Sequence, residues 1–202
     1  MTKTLIAMTF ASAASAGVLV NPGFEDPITQ DGPPFVGFWE AFNGSANSAA
    51  FNSTVMPRSG AMHAEINILG DDNSFAGLFQ DVGGLTAGDN VTFGGWFATP
   101  SNPLDVGVEF RIEFRDSFGD FEVSRTPNET AAPSGSQYEP FSLNAVVPAG
   151  ADTARVVFAI QTFGGDGPSN SGVIYLDDMN FVPTPASLAL IGFAGLASRR
   201  RR

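Results

Sequence analysis

The 202-residue chain predicts an all-β fold, an antiparallel β-sandwich of the jelly-roll kind, on three observations. Two stretches alternate apolar and polar residues with period two, as half-buried strands do. Turn residues are abundant, with 23 Gly and 14 Pro, and they separate short runs rich in Phe and Val. No segment carries an apolar face of helical period over three turns.

The alternation is clearest in Ala61-Met62-His63-Ala64-Glu65-Ile66-Asn67-Ile68, where Met62, Ala64, Ile66 and Ile68 share one face and His63, Glu65 and Asn67 the other. Val108-Glu109-Phe110-Arg111-Ile112-Glu113-Phe114-Arg115 repeats it, with alternating charges outside. Further strands are expected at 75–82, 91–98, 121–125, 138–147, 154–162 and 173–181. The intervening turns include Gly83-Gly84, Ala87-Gly88-Asp89-Asn90, Pro148-Ala149-Gly150 and Gly164-Gly165-Asp166-Gly167-Pro168. Eight or nine short strands with this punctuation make a sandwich, in one domain spanning 17–182.

Both ends read as export signals. Lys3, the apolar stretch Leu5 to Phe10 and Ala14-Ser15-Ala16 fit a secretory signal peptide over 1–16 with an A-x-A cleavage site. At the other end, 183–202 holds Pro183-Thr184-Pro185, an apolar run from Ala186 to Ala197, and four Arg from Arg199 to Arg202. A dozen helical residues reach about 18 Å against roughly 30 Å of hydrocarbon, which suits a transient anchor, and the Arg cluster resists crossing the membrane. This tail resembles the PEP-CTERM sorting signal of exported proteins in Gram-negative bacteria, with Thr184 where that family usually has Glu. The resemblance implies processing near the Pro motif by an exosortase and delivery to the outer surface or extracellular matrix.

The middle of the chain is strongly acidic. It holds all 21 Asp and Glu against five Arg, because Lys3 and the terminal Arg cluster supply the other basic residues. Such a surface repels phosphate backbones and anionic headgroups, which argues against nucleic acid and lipid as partners and favours cations and neutral ligands. Cysteine is absent, so an exported domain of this size holds together by packing or by metal, and calcium is the expected staple.

Leu19-Val20-Asn21-Pro22-Gly23-Phe24-Glu25 and Val173-Ile174-Tyr175-Leu176-Asp177-Asp178-Met179 resemble the opening and closing strands of galactose-binding-like jelly rolls, especially carbohydrate-binding modules of families four and nine. Gly37-Phe38-Trp39, Arg58-Ser59-Gly60, Gln80-Asp81-Val82 and Leu85-Thr86-Ala87-Gly88 lie between them in the order those modules show. The resemblance implies a structural calcium held by Glu25 and Asp177, with Asp178 as the competing choice, and a polysaccharide partner. Two carboxylates and neighbouring carbonyls suit the oxygen chemistry of that ion. The plain alternative is a turn-capping Glu25 and a solvated Asp.

Sugar recognition needs a flat apolar face and planar polar groups. With Val91, Phe93 and Phe97 facing the core, Trp96 falls on the opposite face beside Gly94, either as a stacking platform or beneath a loop. The rows His63, Glu65, Asn67 and Glu109, Arg111, Glu113 offer hydrogen bonds to hydroxyls, or else form solvated faces with cross-strand ion pairs. Phe42, Phe75 and Phe163 are further candidates, whereas Trp39 suits packing. Catalysis has little to work with. His63 is the sole histidine, no phosphate-cradling loop or G-x-S-x-G occurs, and Glu109 and Glu113 on one strand face stand roughly 13 Å apart, too far for a glycosidase pair. The expectation is a noncatalytic exported glycan binder, with a structural matrix protein as its rival and a glycosidase third.

Overall fold

A computed structural model describes residues 18–35, 37–100, 105–162 and 170–184, and in it β-strands form two sheets packed face to face. In chain order they are β1 (Glu40–Asn43), β2 (Ser48–Ser53), β3 (His63–Ile68), β4 (Phe75–Gly83), β5 (Asn90–Ala98), β6 (Gly107–Asp116), β7 (Phe121–Arg125), β8 (Glu129–Thr130), β9 (Glu139–Val146), β10 (Thr153–Gln161) and β11 (Gly172–Thr184). One sheet runs β1-β4-β10-β6-β7, with β8 also on β6, and is called here the β10 sheet. The other, the β11 sheet, runs β2-β3-β11-β5-β9. The ladders between named strands are antiparallel. The all-β sandwich expected from the alternation is the fold observed.

Burial follows the period-two pattern. On β6, Val108, Phe110, Ile112 and Phe114 point inward, and on β10 Ala154, Val156, Phe158 and Ile160 do the same. Phe141 of β9 packs against Phe93, Phe97, Phe110 and Phe158 with ring centroids 4.6–6.3 Å apart, joining the two sheets through aromatic contacts. Inward polar side chains include Ser48 and Gln80. Gln80 is wholly buried, and it accepts from the Val20 amide at 2.7 Å and donates to the Val20 carbonyl at 3.0 Å. The segment preceding the first strand is thereby stitched into the core like an extra strand edge.

The eight expected strands appear within three residues of their predicted limits, and β1, β2 and β8 appear besides. β2, Ser48-Ala49-Ala50-Phe51-Asn52-Ser53, lacks large apolar residues at every second place, so backbone pairing with β3 defines it rather than side-chain burial. The opening motif departs from the expected strand. Asn21 and Phe24 have left-handed φ values of 52° and 57°, and the Phe24 amide donates to the Asn21 carbonyl at 3.1 Å, so 21–24 is a turn. That turn nevertheless docks on β11, where the Met179 amide donates to the Pro22 carbonyl at 2.9 Å. β11 itself runs on through Thr184, so Pro183 and Thr184 belong to the sheet. There β11 pairs only with β5, its ladder with β3 having ended earlier, and a proline without an N–H is tolerated on such a local edge. The expected signal peptide, the sorting run from 185 onward, Phe163 and the glycine-rich turn at 164–168 lie outside the described residues.

Candidate binding faces

The two sheets offer two outer faces, and the candidate residues divide between them. Trp96, His63, Glu65 and Asn67 project from the β11 sheet, while Arg111 projects from the β10 sheet on the far side of the sandwich. The two polar rows therefore cannot line one cleft.

On the β11 face the rungs read Phe51–Glu65–Tyr175–Ala98 and Asp177–Trp96–Pro140. The turn after β2 folds back across this face. Its Arg58 guanidinium stacks 3.8 Å from the Trp96 ring centroid, and Tyr138 donates to the Met56 carbonyl at 3.3 Å. Trp96 is consequently half-buried with one ring face occupied, not an open platform. His63 is fully buried, its ring 4.4 Å from that of Tyr175, and neither ring nitrogen has a hydrogen-bond partner. Burial holds its pKa below the usual histidine range, against an upward pull from Glu65. A buried imidazole cannot reach a polysaccharide, so the expected row His63, Glu65, Asn67 is interrupted at its first member. Glu65 and Asn67 are half-buried and bonded to each other at 3.4 Å. Alternation placed these side chains correctly outside the sheet, but it carries no information about what packs over them.

The same turn is held by the two acidic motifs. Asp177, fully buried, accepts at Oδ2 from the amides of Arg58 (2.9 Å) and Ser59 (3.0 Å), and at Oδ1 from Asp178 (2.8 Å). Glu25 Oε1 accepts from the amides of Ala61 (2.9 Å) and Met62 (3.1 Å). Between them Gly60 sits at φ 60°, and a Cβ there would overlap the Glu25 carboxylate. Glu25 and Asp177 thus converge on one five-residue turn. Asp178 turns away, with one oxygen on the Arg58 guanidinium and the other accepting from Ser59 Oγ at 2.7 Å. Burial pushes the Asp177 pKa up, opposed by the backbone amides that favour its charged form. A wholly buried carboxylate whose bonds come from neutral amides, its nearby cation taken by Asp178, is a donor that a divalent ion would satisfy. Among the described residues no three His, Cys, Asp or Glu side chains gather, so carbonyls would have to complete any shell.

The β10 face is built differently. Its rungs read Phe42–Gly77–Ala159–Glu109, Phe79–Val157–Arg111 and Asp81–Arg155–Glu113. Down one side run Phe75, Phe42 and Phe79, with successive ring centroids 6.1 Å apart; Gly77 has no side chain because the Phe42 ring occupies that space. Down the other side Arg111 bonds Glu109 at 2.7 Å and Glu113 at 2.8 Å, and Arg115 bonds Glu113 at 3.1 Å. These pairs run mostly along the strand between i and i+2, with Arg155 and Asp81 supplying a cross-strand pair at 2.7 Å. Gln161 and Asn128 both donate to Glu109. The middle is floored by Ala159 and Val157, so a stripe of small residues separates an aromatic rail from a polar one. Phe42 stands in β1, and Phe75 at the head of β4, where the strand expected at 75–82 begins. Phe79, Asp81 and Arg155 were not singled out from sequence, although the alternation Phe75, Gly77, Phe79, Asp81 places all four on one face.

No protein-family model matches the chain, and no curated protein matches it. Solved structures share its fold. A family 61 carbohydrate-binding module in complex with β-1,4-galactotriose is 15% identical with a TM-score of 0.53, over 83% of this chain and 99% of that one. The CBM22-1 xylan-binding domain of Paenibacillus barcinonensis Xyn10C is 14% identical with a TM-score of 0.54, over 87% and 99%. The enzymatically active domain of bacteriophage CBA120 tailspike protein 4 is 16% identical with a TM-score of 0.57 over 72% of this chain, which spans 19% of that one. At such identities the likeness establishes the β-sandwich of carbohydrate-binding modules as the fold.

Proposed function

We propose that the chain is an exported, noncatalytic module that binds a neutral polysaccharide along the outer face of the β10 sheet. The observation that carries this reading is the pairing of the Phe42 and Phe75 rings, which Phe79 continues beneath Arg155 and Phe35, with the Glu109, Arg111 and Glu113 rail across a floor of small residues. Sugar rings present an apolar C–H face and an equatorial belt of hydroxyls, and the two rails answer one each. Arg111, held by two carboxylates, offers planar donors without a conformational search. The fold shared with carbohydrate-binding modules supports the same reading. The acidic surface favours an uncharged glycan over an anionic one.

Calcium belongs to the opposite face in this proposal. Glu25 and Asp177 would hold it together with carbonyls of the neighbouring turns, where it supplies positive charge to a buried carboxylate and ties the chain's opening turn to its last strand. Export through a signal peptide, exosortase-type processing and transient membrane anchoring by the tail complete the proposal, with residence at the outer surface or in the extracellular matrix. Affinity electrophoresis against a panel of neutral and anionic polysaccharides tests the function. Retardation by at least one neutral polymer, reduced by Phe42→Ala with Phe75→Ala, is expected; migration unchanged in every gel would overturn it in favour of a structural matrix protein.

A further inference from the structure

The outer face of the β10 sheet continues past β1. Thr29 bridges Glu40 as a parallel edge, with the Thr29 amide donating to the Trp39 carbonyl at 2.9 Å and the Ala41 amide to the Thr29 carbonyl at 2.7 Å. Glu40 shares a rung with Phe79, Val157 and Arg111, so its side chain lies on the outer face. There it is buried, and its two oxygens accept from the Thr29 hydroxyl and from the Gly32 amide, each at 2.8 Å. One carboxylate thus holds both ends of 29–32 and sets the start of the loop that follows. Against that loop lies a cavity of about 310 Å³, near the lower end of the roughly 300–1,000 Å³ range of small-molecule sites. Its lining is Thr29, Asp31, Gly32, Pro33, Pro34 and Phe38.

Three features of the lining indicate what the cavity takes. The first is an aromatic face at the cavity itself, because Phe38 is 54% exposed and folding gains nothing from the part of the ring left in water. Phe38 stands two residues before Glu40 and Phe42 two residues after it. Four residues of chain span at most about 14 Å, so both aromatic side chains are within reach of one oligosaccharide. The second feature is stiffness. Pro33 and Pro34 have no side-chain rotamers to lose on binding, and Gly32 leads into them with a left-handed φ of 88°. The third is charge. Asp31 is exposed and is the charged residue of this lining, so its oxygens accept from hydroxyls while an anionic ligand meets repulsion.

We infer that this cavity is a further sugar subsite, seating a neutral ring of the glycan whose neighbouring units lie on Phe42 and Phe75. The inference rests on the glycan reading of the β10 face and deepens it: the ligand is a chain long enough to cross the β1 edge, rather than a single sugar or a disaccharide. In the subsite the Phe38 ring and the two prolines meet the C–H face of the sugar, and Asp31 accepts from its hydroxyls.

The test is calorimetric titration of the full chain with linear β-glucan, xylan, mannan and galactan, and with the corresponding oligosaccharides from disaccharide to hexasaccharide. Affinity within the series of the polymer that binds should rise with length. Phe38→Ala should weaken the polymer and the longest oligosaccharide about tenfold, leave the shortest one that binds unchanged, and leave the melting temperature unchanged. Asp31→Asn, of the same shape and exposed, should weaken the long ligands about threefold without touching the packing. Phe42→Ala with Phe75→Ala should instead weaken every length. Polymer binding indifferent to both Phe38→Ala and Asp31→Asn, or weakened by them equally at every length, overturns the subsite and leaves the function standing. Binding of no polymer overturns the polysaccharide reading and the subsite with it.

Discussion

The two outer faces of this sandwich begin from the same sequence rule and end in opposite states. On β3 and on β6, polar residues alternate with core residues, and on both strands the polar row points away from the core. On the β10 face that row is an ion-pair network beside an aromatic rail, with Glu109 and Arg111 half-buried and Glu113 buried. On the β11 face the turn at 54–62 places Arg58 on Trp96, His63 is buried with its ring against Tyr175, and Glu65 and Asn67 are half-buried and bonded to each other. What separates them is two carboxylates distant in sequence, Glu25 and Asp177, that hold the turn down through four amides. On the proposed reading one face is structural and the other binds the glycan.

Releasing that turn is the strongest way to break the comparison. Asp177→Ala leaves the amides of Arg58, Ser59 and Asp178 without their acceptor in a buried corner, and a loss of about 2–3 kcal/mol in urea unfolding is expected. Gly60→Ala attacks the same corner through its left-handed backbone and the Glu25 carboxylate, and should cost about 1–2 kcal/mol. Polysaccharide binding measured well below the melting temperature should survive both. If either variant abolishes binding while leaving stability intact, the ligand lies on the β11 face and the assignment of the two faces is reversed.

Calcium sharpens the same contrast. An ion bound at Glu25 and Asp177 at a hundredfold excess over its Kd adds about 2.7 kcal/mol to the folded state, so chelation should lower the melting temperature. Glu25→Gln should remove most of that response. An identical melting curve with and without chelator, and no calcium by elemental analysis, would leave the turn held by amides alone.

Much of this was legible in the residues, and the illegible part has a physical cause. The strands at 107–116 and 153–161 could be read because large apolar side chains recur at every second place. β1 and β2 could not, because EAFN and SAAFNS are held by their ladders to β4 and β3 rather than by a periodic apolar face. The convergence of Glu25 with Asp177 was readable only through family resemblance, since 152 positions separate them and no local pattern encodes a tertiary contact of that span. Local pattern gave the direction of Trp96 and His63 but not their exposure: Trp96 takes the second of its two expected placements, beneath a loop, and His63 is buried against Tyr175. The aromatic rail was half seen, with Phe42 and Phe75 noticed singly and Phe79 missed, because strand pairing rather than spacing brings the three together.

A smaller effect distinguishes the aromatic residues of the two faces. Phe42→Ala with Phe75→Ala removes ring surface from the β10 face and should weaken binding of a retained polysaccharide about tenfold, near 1.4 kcal/mol, in affinity electrophoresis. Trp96→Ala should do the reverse, lowering the melting temperature by exposing Arg58 and the turn while leaving binding unchanged. Equal losses of affinity in the two experiments would mean that the faces cooperate in one site.

The smallest expected effect is carried by His63, and its sign is fixed by burial. The folded state holds the imidazole below its ordinary pKa of 6.5, because desolvation disfavours the cation more than Glu65 favours it. Below pH 6.5 the unfolded chain takes up a proton that the folded chain refuses, so stability from this group is full above that pH and is lost as pH falls toward the folded value. Asp177 acts with the opposite sign, since burial raises its pKa and the folded state protonates first as acid is added, at lower pH. Measuring urea unfolding between pH 7 and pH 5 for the chain and for His63→Phe separates the two, because Asp177 is common to both. The variant should lose the acid-side decline, which is worth up to about 1.4 kcal/mol per pKa unit of depression. At neutral pH it should be no less stable, since the phenyl ring replaces an imidazole whose two nitrogens have no partner. Parallel pH profiles would show that His63 reaches solvent.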